Sequence, residues 1–240
     1  MAIRMLPSGD TAIVVEFGDQ IDRALSDRVL RTNDAVQKAD LKGVTETVPT
    51  FRSLLIHYDP LVTSAAELIE QLEPMTDADN EHSFASRTWC IPACYEDDKA
   101  PDLTGVAERT GLTADQVIEA HCSRSYHVYM LGFLPGYPYM GDLPVELCLP
   151  RLENPRLRVP PGAVAIVTTL TAVYPIESPG GWHLIGSTPV SLFDIRDPRP
   201  ARLTPGDEVR FTPITRQAFD EIEAAVAAGT YLLTPQGTHS

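Results

Sequence analysis

The sequence predicts an α+β protein made of two parts, an N-terminal α/β unit and a C-terminal β-barrel. The first third alternates β-branched runs with stretches in which apolar residues recur at helical spacing. The remainder has short apolar runs separated by Pro/Gly turns, which is typical of a barrel. Between Pro74 and Arg87, Asp, Asn, Glu, His and Ser replace apolar residues. We therefore expect one domain over residues 1–85 and a second over residues 86–240.

The N-terminal elements follow a defined order. Thr11–Phe17 is β-branched and aromatic, which favours a strand. In Asp22–Ala39, residues spaced four, three and four apart lie on one helical face. Two strands are expected at 44–48 and 53–58. A helix that begins with an S-x-x-E capping box is expected at 64–72, and a last strand within 84–91. The resulting order, βαββαβ, is that of a ferredoxin-like unit.

The C-terminal part is predicted to combine short strands with two helices. Thr113 and Gln116 cap a short helix that carries His121 in its last turn. Strands are expected at 125–131, 163–167 and 208–211, the last after a type II turn at Thr204–Asp207. A closing helix is expected from Thr215 to Ala228.

The composition is that of an ordinary globular protein of 240 residues with a formal net charge of −14 at pH 7. This negative charge disfavours binding to nucleic acid or to an anionic membrane surface. No apolar run is long enough to span a membrane, and the N-terminus lacks a signal-peptide pattern. We therefore expect a cytoplasmic protein.

The sequence has neither a metal-site pattern nor a common catalytic motif. Of the four cysteines, only Cys90 and Cys94 are closely spaced, whereas a zinc site needs two such pairs. We expect reduced, mostly buried thiols. The histidines lack HxxH and HExxH spacing, and there is no Walker-type loop, GxGxxG or GxSxG. No metal is therefore expected.

The segment from Tyr129 to Pro144 is the most distinctive stretch of the chain. Its prolines and glycines exclude a regular helix or a central strand. Between them lie Phe133, Tyr137 and Tyr139, rings that a solvated linker rarely carries at this density. Such a segment forms either the wall of a ligand or partner site or a long loop folded over the core, and composition leaves both interpretations open.

Two polar features are also open to two interpretations. Ser178-Pro-Gly-Gly181 can direct successive N–H groups outward as an anion-binding nest, or can form a plain hairpin turn with Trp182 in the core. His121, at the end of its helix, is either an acid/base group or a structural cap. The helix macrodipole favours its protonated form.

Motifs with characteristic residues extend over nearly the whole chain. They include Gly132-Phe133, Pro135-Gly-Tyr-Pro-Tyr139, Pro150-Arg-Leu152, Val159-Pro160, Tyr174-Pro175, Ser178-Pro-Gly-Gly-Trp182, Thr188-Pro189 and Leu192-Phe-Asp194. By these motifs the sequence resembles the family of B-type 5-oxoprolinase subunits. This family is also known as allophanate hydrolase subunit 1, has a carboxyltransferase domain and includes inhibitors of a sporulation kinase.

The resemblance implies a C-terminal barrel of the cyclophilin type. It also implies ATP-dependent opening of the lactam 5-oxoproline to glutamate, with ATP used by a complex that contains a homologous C-type subunit and an A-type subunit. Two alternatives stay open: a binding protein that inhibits a sensor histidine kinase, and an allophanate- or urea-amidolyase-type subunit. Three positions depart from the family pattern, since Leu170, Ala172 and Ser187 stand where relatives usually carry Gln, Gly and Arg.

The residues predicted to form the site have two roles. His121, with Tyr126 or Tyr137, is expected to orient substrate or move protons. The Ser178–Gly181 backbone and Thr171 are expected to stabilise an anion. The full set expected to bind the substrate or an anion is Phe133, Pro135, Gly136, Tyr139, Thr171, Tyr174, Ser178, Gly180, Gly181 and Trp182.

Overall fold

The computed structural model describes residues 3–76 and 86–239. These residues divide into two compact units, one on each side of the gap. The predicted change of domain between Pro74 and Arg87 falls largely outside the described residues. None of the helices in 3–76 and 86–239 has both the length and the apolar character needed to cross a lipid bilayer.

The N-terminal unit is a four-stranded antiparallel sheet with two helices. Its elements, in chain order, are β1 (Arg4–Pro7), β2 (Ala12–Glu16), α1 (Arg23–Ala39), β3 (Val44–Pro49), β4 (Ser53–Tyr58) and α2 (Ala65–Thr76). The sheet order is β1-β2-β4-β3. Helix α1 connects β2 to β3, and β4 lies between those two strands, as in a split βαβ unit.

Helix α1 begins and packs as its residue spacing predicts. The Asp22 side chain accepts a hydrogen bond from the Leu25 backbone N–H at 3.1 Å, so it caps the first turn. Val29 and Val36 are buried in one cluster with Ile13 of the sheet. Burial of this apolar face, rather than helix propensity, holds the helix on the sheet.

The predicted βαββαβ order is wrong in its last element. The strand expected within Phe84–Ile91 is β5 (Ser86–Cys94), and it pairs with strands of the C-terminal unit. At the edge of the N-terminal sheet, β1 forms a hairpin with β2 in its place. The order of the N-terminal unit is therefore ββαββα. A β-branched run predicts a strand, but it does not identify the strand with which it pairs.

The C-terminal unit is a closed barrel of seven strands with helices around it. After β5, its elements are α3 (Leu103–Thr110), α4 (Ala114–Cys122), β6 (Tyr126–Leu131), β7 (Pro138–Met140), β8 (Arg156–Val159), β9 (Ala163–Val167), β10 (Leu170–Val173), β11 (Ser178–Gly180), β12 (His183–Ser187), β13 (Glu208–Ile214), α5 (Arg216–Ala227) and β14 (Gln236–His239). Strands β8 and β11 pair only with each other, and β14 adds to β5.

The ring runs β12-β9-β10-β7-β6-β13-β5 and closes where Ser187 of β12 pairs with Cys94 of β5. All of these pairings are antiparallel except that between β13 and β5, which is parallel. The predicted barrel is confirmed. Its likeness to the cyclophilin barrel stays a prediction.

A buried carboxylate joins β5 to the turn that precedes β13. Gly206 has a φ of +94°, in keeping with the predicted turn. Asp207, which is 2% exposed, accepts hydrogen bonds from Arg87 Nη2 at 2.6 Å, from Trp89 Nε1 at 2.9 Å and from the Thr204 N–H at 2.9 Å. Several donors therefore compensate the carboxylate for its loss of water.

We predict that Asp207→Ala destabilises the barrel by ~3–5 kcal/mol, because it leaves the Arg87 charge and the Trp89 N–H without their acceptor. Both tryptophans of the chain, Trp89 and Trp182, lie in the barrel, so urea unfolding followed by tryptophan fluorescence reports on this unit. Asp220→Ala is the control, since its ion pair with Arg216 is exposed and should add little. Equal unfolding midpoints for the two variants would contradict the prediction.

Candidate functional site

A cleft of about 780 Å³ opens on the outside of the barrel. It is lined by residues within 98–101, 156–163, 174–175 and 184–192 and by Phe219 and Glu223. Five prolines contribute to its walls: Pro101, Pro160, Pro161, Pro175 and Pro189. A volume of this size is suited to a small-molecule ligand.

A glycine fixes a turn in the lining of the cleft. Gly162 has a φ of +83°, and its carbonyl accepts a hydrogen bond from the Thr188 N–H at 2.8 Å. A Cβ at position 162 would lie 2.3 Å from the Thr188 carbonyl oxygen. Only glycine therefore fits both the backbone conformation and the close approach.

Of the three positions that depart from the family pattern, one reaches the cleft. Ser187 lies in the lining, next to Thr188. Leu170 and Ala172 are buried on β10 and do not line it. A change at position 187 therefore alters the cleft directly, whereas changes at the other two positions alter the packing of the barrel wall.

Each basic side chain among the described residues that line the cleft already has a partner. Arg156 forms an ion pair with Asp102, and Arg158 pairs with Glu177 at 3.1 Å. The Lys99 ammonium lies 3.9 Å from the centre of the Phe219 ring. The lining includes no histidine and no cysteine. It is therefore better suited to hold and orient a ligand than to supply a nucleophile activated by a base.

An aromatic cluster lies next to the cleft, centred on Tyr137. The ring of Tyr137 lies 5.6 Å from Phe133, 5.0 Å from Tyr139, 5.0 Å from Tyr174 and 5.9 Å from Trp182, measured between centroids. Several of these contacts are edge-to-face, the favourable geometry for aromatic pairs. Tyr174 also lines the cleft, so the cluster forms the support behind one cleft wall.

The segment from Tyr129 to Pro144 thus divides into a buried and an exposed part. Tyr137 is 1% exposed, and burial raises the pKa of its hydroxyl far above the ordinary value. The expected proton-moving role does not fit such a group. Gly136 is buried against Phe193, whereas Pro135 is exposed. Phe133 is 62% exposed and has a φ of +69°, an unfavourable conformation for a residue other than glycine.

The expected nest at Ser178–Gly181 is not formed. Ser178–Gly180 is strand β11, paired with β8, so it is not a hairpin turn either. Gly180 packs against the Tyr174 hydroxyl, 2.3 Å from where a Cβ would lie. Trp182 is buried, as the hairpin interpretation expected, but as part of the aromatic cluster. None of residues 178–182 lines the cleft.

His121 lies inside the barrel, in a chain of hydrogen bonds that determines its tautomer. Thr171 Oγ1 donates to the Ala165 carbonyl at 3.1 Å, so it accepts from His121 Nε2 at 3.0 Å. His121 Nδ1 then accepts from the Tyr95 hydroxyl at 2.9 Å, and Cys122 Sγ donates to that hydroxyl oxygen at 3.4 Å. Both ring nitrogens of the neutral imidazole therefore have a hydrogen-bond partner, so His121 does not need to be protonated to satisfy them.

The expectation of a protonated His121 is wrong. The side chain is completely buried, and this burial lowers its pKa to about 3. The helix macrodipole does not offset the loss of water. Tyr126 is equally buried, and its hydroxyl donates to the His121 carbonyl at 2.6 Å. His121, Tyr126 and Thr171 are therefore held together in the barrel interior, away from the cleft lining.

Most of the predicted site residues form two separate groups, to which Pro135, Gly136, Ser178 and Gly181 do not belong. One is the interior group of His121, Tyr126 and Thr171, and the other is the aromatic cluster with Gly180. Sequence reasoning singled out Ser187 only as a departure from the family pattern, and it gave no site role to Arg156 or Gly162, although both lie in recognised motifs. In segments 3–76 and 86–239, no three His, Cys, Asp or Glu side chains form a group that could bind a metal.

We predict that the barrel loses stability on acidification because of His121. In the unfolded chain His121 binds a proton near pH 6.5, whereas in the folded chain it does so only near pH 3. As the pH falls from 6 to 4, the unfolded state therefore gains about 1.4 kcal/mol per pH unit from this group. Urea titrations at several pH values should show a shallower pH dependence for His121→Gln than for the wild type. Parallel pH profiles would refute this.

We also predict that two rings of the aromatic cluster contribute very differently to the free energy of unfolding. Tyr137→Ala should reduce the free energy of unfolding by ~3–5 kcal/mol, because it removes a fully buried ring. Phe133→Ala, the matched control on the exposed side, should change it by less than ~1 kcal/mol. Tryptophan fluorescence during urea unfolding measures both. A small effect of Tyr137→Ala would show that the ring is not part of the core.

Comparisons with known proteins identify the family. Residues 3–203 match the model of the carboxyltransferase domain, subdomains C and D. The chain is 40% identical to the B-type subunit of 5-oxoprolinase from Escherichia coli, over 85% of this chain and 93% of that protein. It is 33% identical to the corresponding 5-oxoprolinase subunit of Bacillus subtilis, over 88% of this chain and 92% of that protein.

The solved structure of the Kluyveromyces lactis urea amidolyase is similar at a TM-score of 0.81, over 98% of this chain. The chain spans only 16% of that protein at 22% identity, so this likeness shows the fold alone. The match to the domain model and the two relatives covered over almost their whole length agree with the motifs in the sequence. The chain belongs to the carboxyltransferase-domain family, subdomains C and D, and within it to the group of B-type 5-oxoprolinase subunits.

Proposed function

We propose that this chain is a subunit of an ATP-dependent hydrolase that opens 5-oxoproline to glutamate. The observation that carries the proposal is the similarity to two proteins named as B-type subunits of 5-oxoprolinase, over 93% and 92% of their lengths. The cleft supports it, because its volume suits a small ligand. The expected cytoplasmic location fits the use of ATP.

The chain contributes one side of a shared active site. Opening an unactivated amide needs donors that stabilise the developing anion and a group that moves protons. The cleft lining has no histidine or cysteine, and His121 is buried away from it. We therefore assign the proton-moving groups to a homologous C-type subunit, with an A-type subunit completing the complex. On this chain, Tyr174 and the cleft residues hold the substrate in place.

ATP binding is assigned to the other subunits. A triphosphate requires free cations or a loop of backbone N–H donors. In the described cleft lining, Arg156, Arg158 and Lys99 are engaged with Asp102, Glu177 and Phe219. These residues do not fit a nucleotide.

The two alternatives use different surfaces. A kinase inhibitor would act through an exposed apolar group such as Phe133, and would not need the cleft. A urea-amidolyase-type subunit would use the same cleft with another substrate. The identity to the two 5-oxoprolinase subunits favours the lactam hydrolase over both.

The test is reconstitution of the purified complex from this chain and its A-type and C-type partners. We expect glutamate and phosphate to be released from 5-oxoproline and ATP by the complete complex only. Omission of this chain should abolish turnover, and this chain alone should give none. Full activity without this chain, or turnover by this chain alone, would refute the proposal. Inhibition of a sensor kinase by this chain without activity of the complex would favour the inhibitor.

A further inference from the structure

The N-terminal sheet has one face that neither α1 nor α2 covers. Buried residues of both helices pack on the other face, against Ile13, Leu54 and Ile56 of the strands. Thr47 of β3 lies on that side too, where its hydroxyl accepts a hydrogen bond from Gln37 of α1. Because successive side chains of a strand point to opposite faces, the residues between these ones form the helix-free face of the sheet.

An apolar row crosses the helix-free face from one edge of the sheet to the other. Strand pairing aligns one residue of each strand, in the order Leu6, Val14, Leu55 and Val48. Leu6 is 41% exposed, and the other three are only partly buried. Four neighbouring apolar side chains that keep contact with water form a surface suited to association with another protein.

Charges of opposite sign lie at the two ends of this face, on either side of the apolar row. At one end, the Glu16 carboxylate pairs with both Arg4 and Arg52, so these three side chains carry one net positive charge. At the other end, the exposed Glu46 of β3 supplies a negative charge and lies opposite His57 of β4. The face is therefore apolar in the middle and polarised from end to end.

We infer that this face binds a second copy of the same chain. When two copies of one face meet, the twofold axis that relates them lies in the plane of contact. An axis parallel to the apolar row stacks the two rows and places the positive end of each copy over the negative end of the other. The face is thus complementary to itself in both polarity and charge, as an isologous interface requires.

The size of the face sets the expected strength of the dimer. Four strands spaced about 4.8 Å apart, with about five residues each at about 3.3 Å per residue, give a face of roughly 20 Å by 17 Å. Two such faces bury an area at the lower end of specific protein interfaces, where complexes are weak and reversible. We therefore expect a dissociation constant in the micromolar range.

Sedimentation equilibrium of the full chain, from about 1 μM to about 500 μM, tests the inference. We expect a monomer–dimer equilibrium. Leu55→Thr should weaken it by about 10-fold or more, because it keeps a strand-forming residue but makes the centre of the apolar row polar. Leu157→Thr is the matched control, since Leu157 is 88% exposed on β8 of the other unit. A chain that stays monomeric, or equal weakening by the two changes, would overturn the inference.

Charge reversal distinguishes this face from any other apolar contact. Arg4→Glu and Glu46→Arg should each weaken the dimer by about 5- to 10-fold, because each makes the two facing ends alike in sign. With both changes in one chain the ends are again opposite, so the dissociation constant should return to within about 2-fold of the wild type. No recovery in the double variant would refute the proposed contact.

The reversal variants also keep the inference testable if Leu55→Thr does not fold. Arg4 and Glu46 are exposed, so their replacement should leave the N-terminal unit intact. Circular dichroism verifies that each variant has the helix and strand content of the wild type.

Discussion

Closure of the barrel between β12 and β5 is the constraint on which the rest of the C-terminal unit depends. The two strands meet where Ser187 pairs with Cys94. A Cβ at Gly186 would lie 3.1 Å from the Cys94 carbonyl oxygen and 3.0 Å from the Tyr95 ring, so glycine permits this approach. The closure directs the Tyr95 hydroxyl towards His121 and leaves Ser187 in the cleft lining. One contact thus organises both the barrel interior and the outer cleft.

The inside and the outside of the closed barrel have different physical properties. Inside, the hydrogen bonds that run from Cys122 through Tyr95 and His121 to Thr171 are satisfied without any net charge. Such a network gives the barrel interior a defined arrangement, but it has no free donor to offer a ligand. Outside, partnered arginines, prolines and the hydroxyl-bearing residues Ser187, Thr188 and Ser191 surround a space for a small molecule. The outer cleft, and not the barrel interior, is therefore the candidate site for ligand binding in this unit.

Local signals in the sequence were sufficient for helices α1, α2, α4 and α5 and for the barrel, but α3 (Leu103–Thr110) was not predicted. Asp22 at the start of α1 and the Thr113–Gln116 capping box form the expected hydrogen bonds, because a cap involves only neighbouring residues. The partner of β5 was not predictable in the same way, since strand pairing joins distant segments. The recognised motifs also led to the family, which no single local element could have done. The site was less predictable, because the burial of a side chain depends on the whole fold. Tyr137 and Phe133 occur in one Pro/Gly-rich segment, yet one is in the core and the other is exposed.

The parallel pair β5 and β13 has a topological explanation. Around a closed ring, strand direction must return to its starting sense, and an odd number of strands cannot alternate throughout. A seven-stranded ring therefore needs at least one parallel neighbour pair, and this barrel has one. The partners are the first and the last strands of the ring along the chain, β5 at Ser86–Cys94 and β13 at Glu208–Ile214. During synthesis on the ribosome, β5 emerges long before β13, so the two strands can pair only when nearly the whole unit has been made. Completion of the barrel is therefore a late folding event.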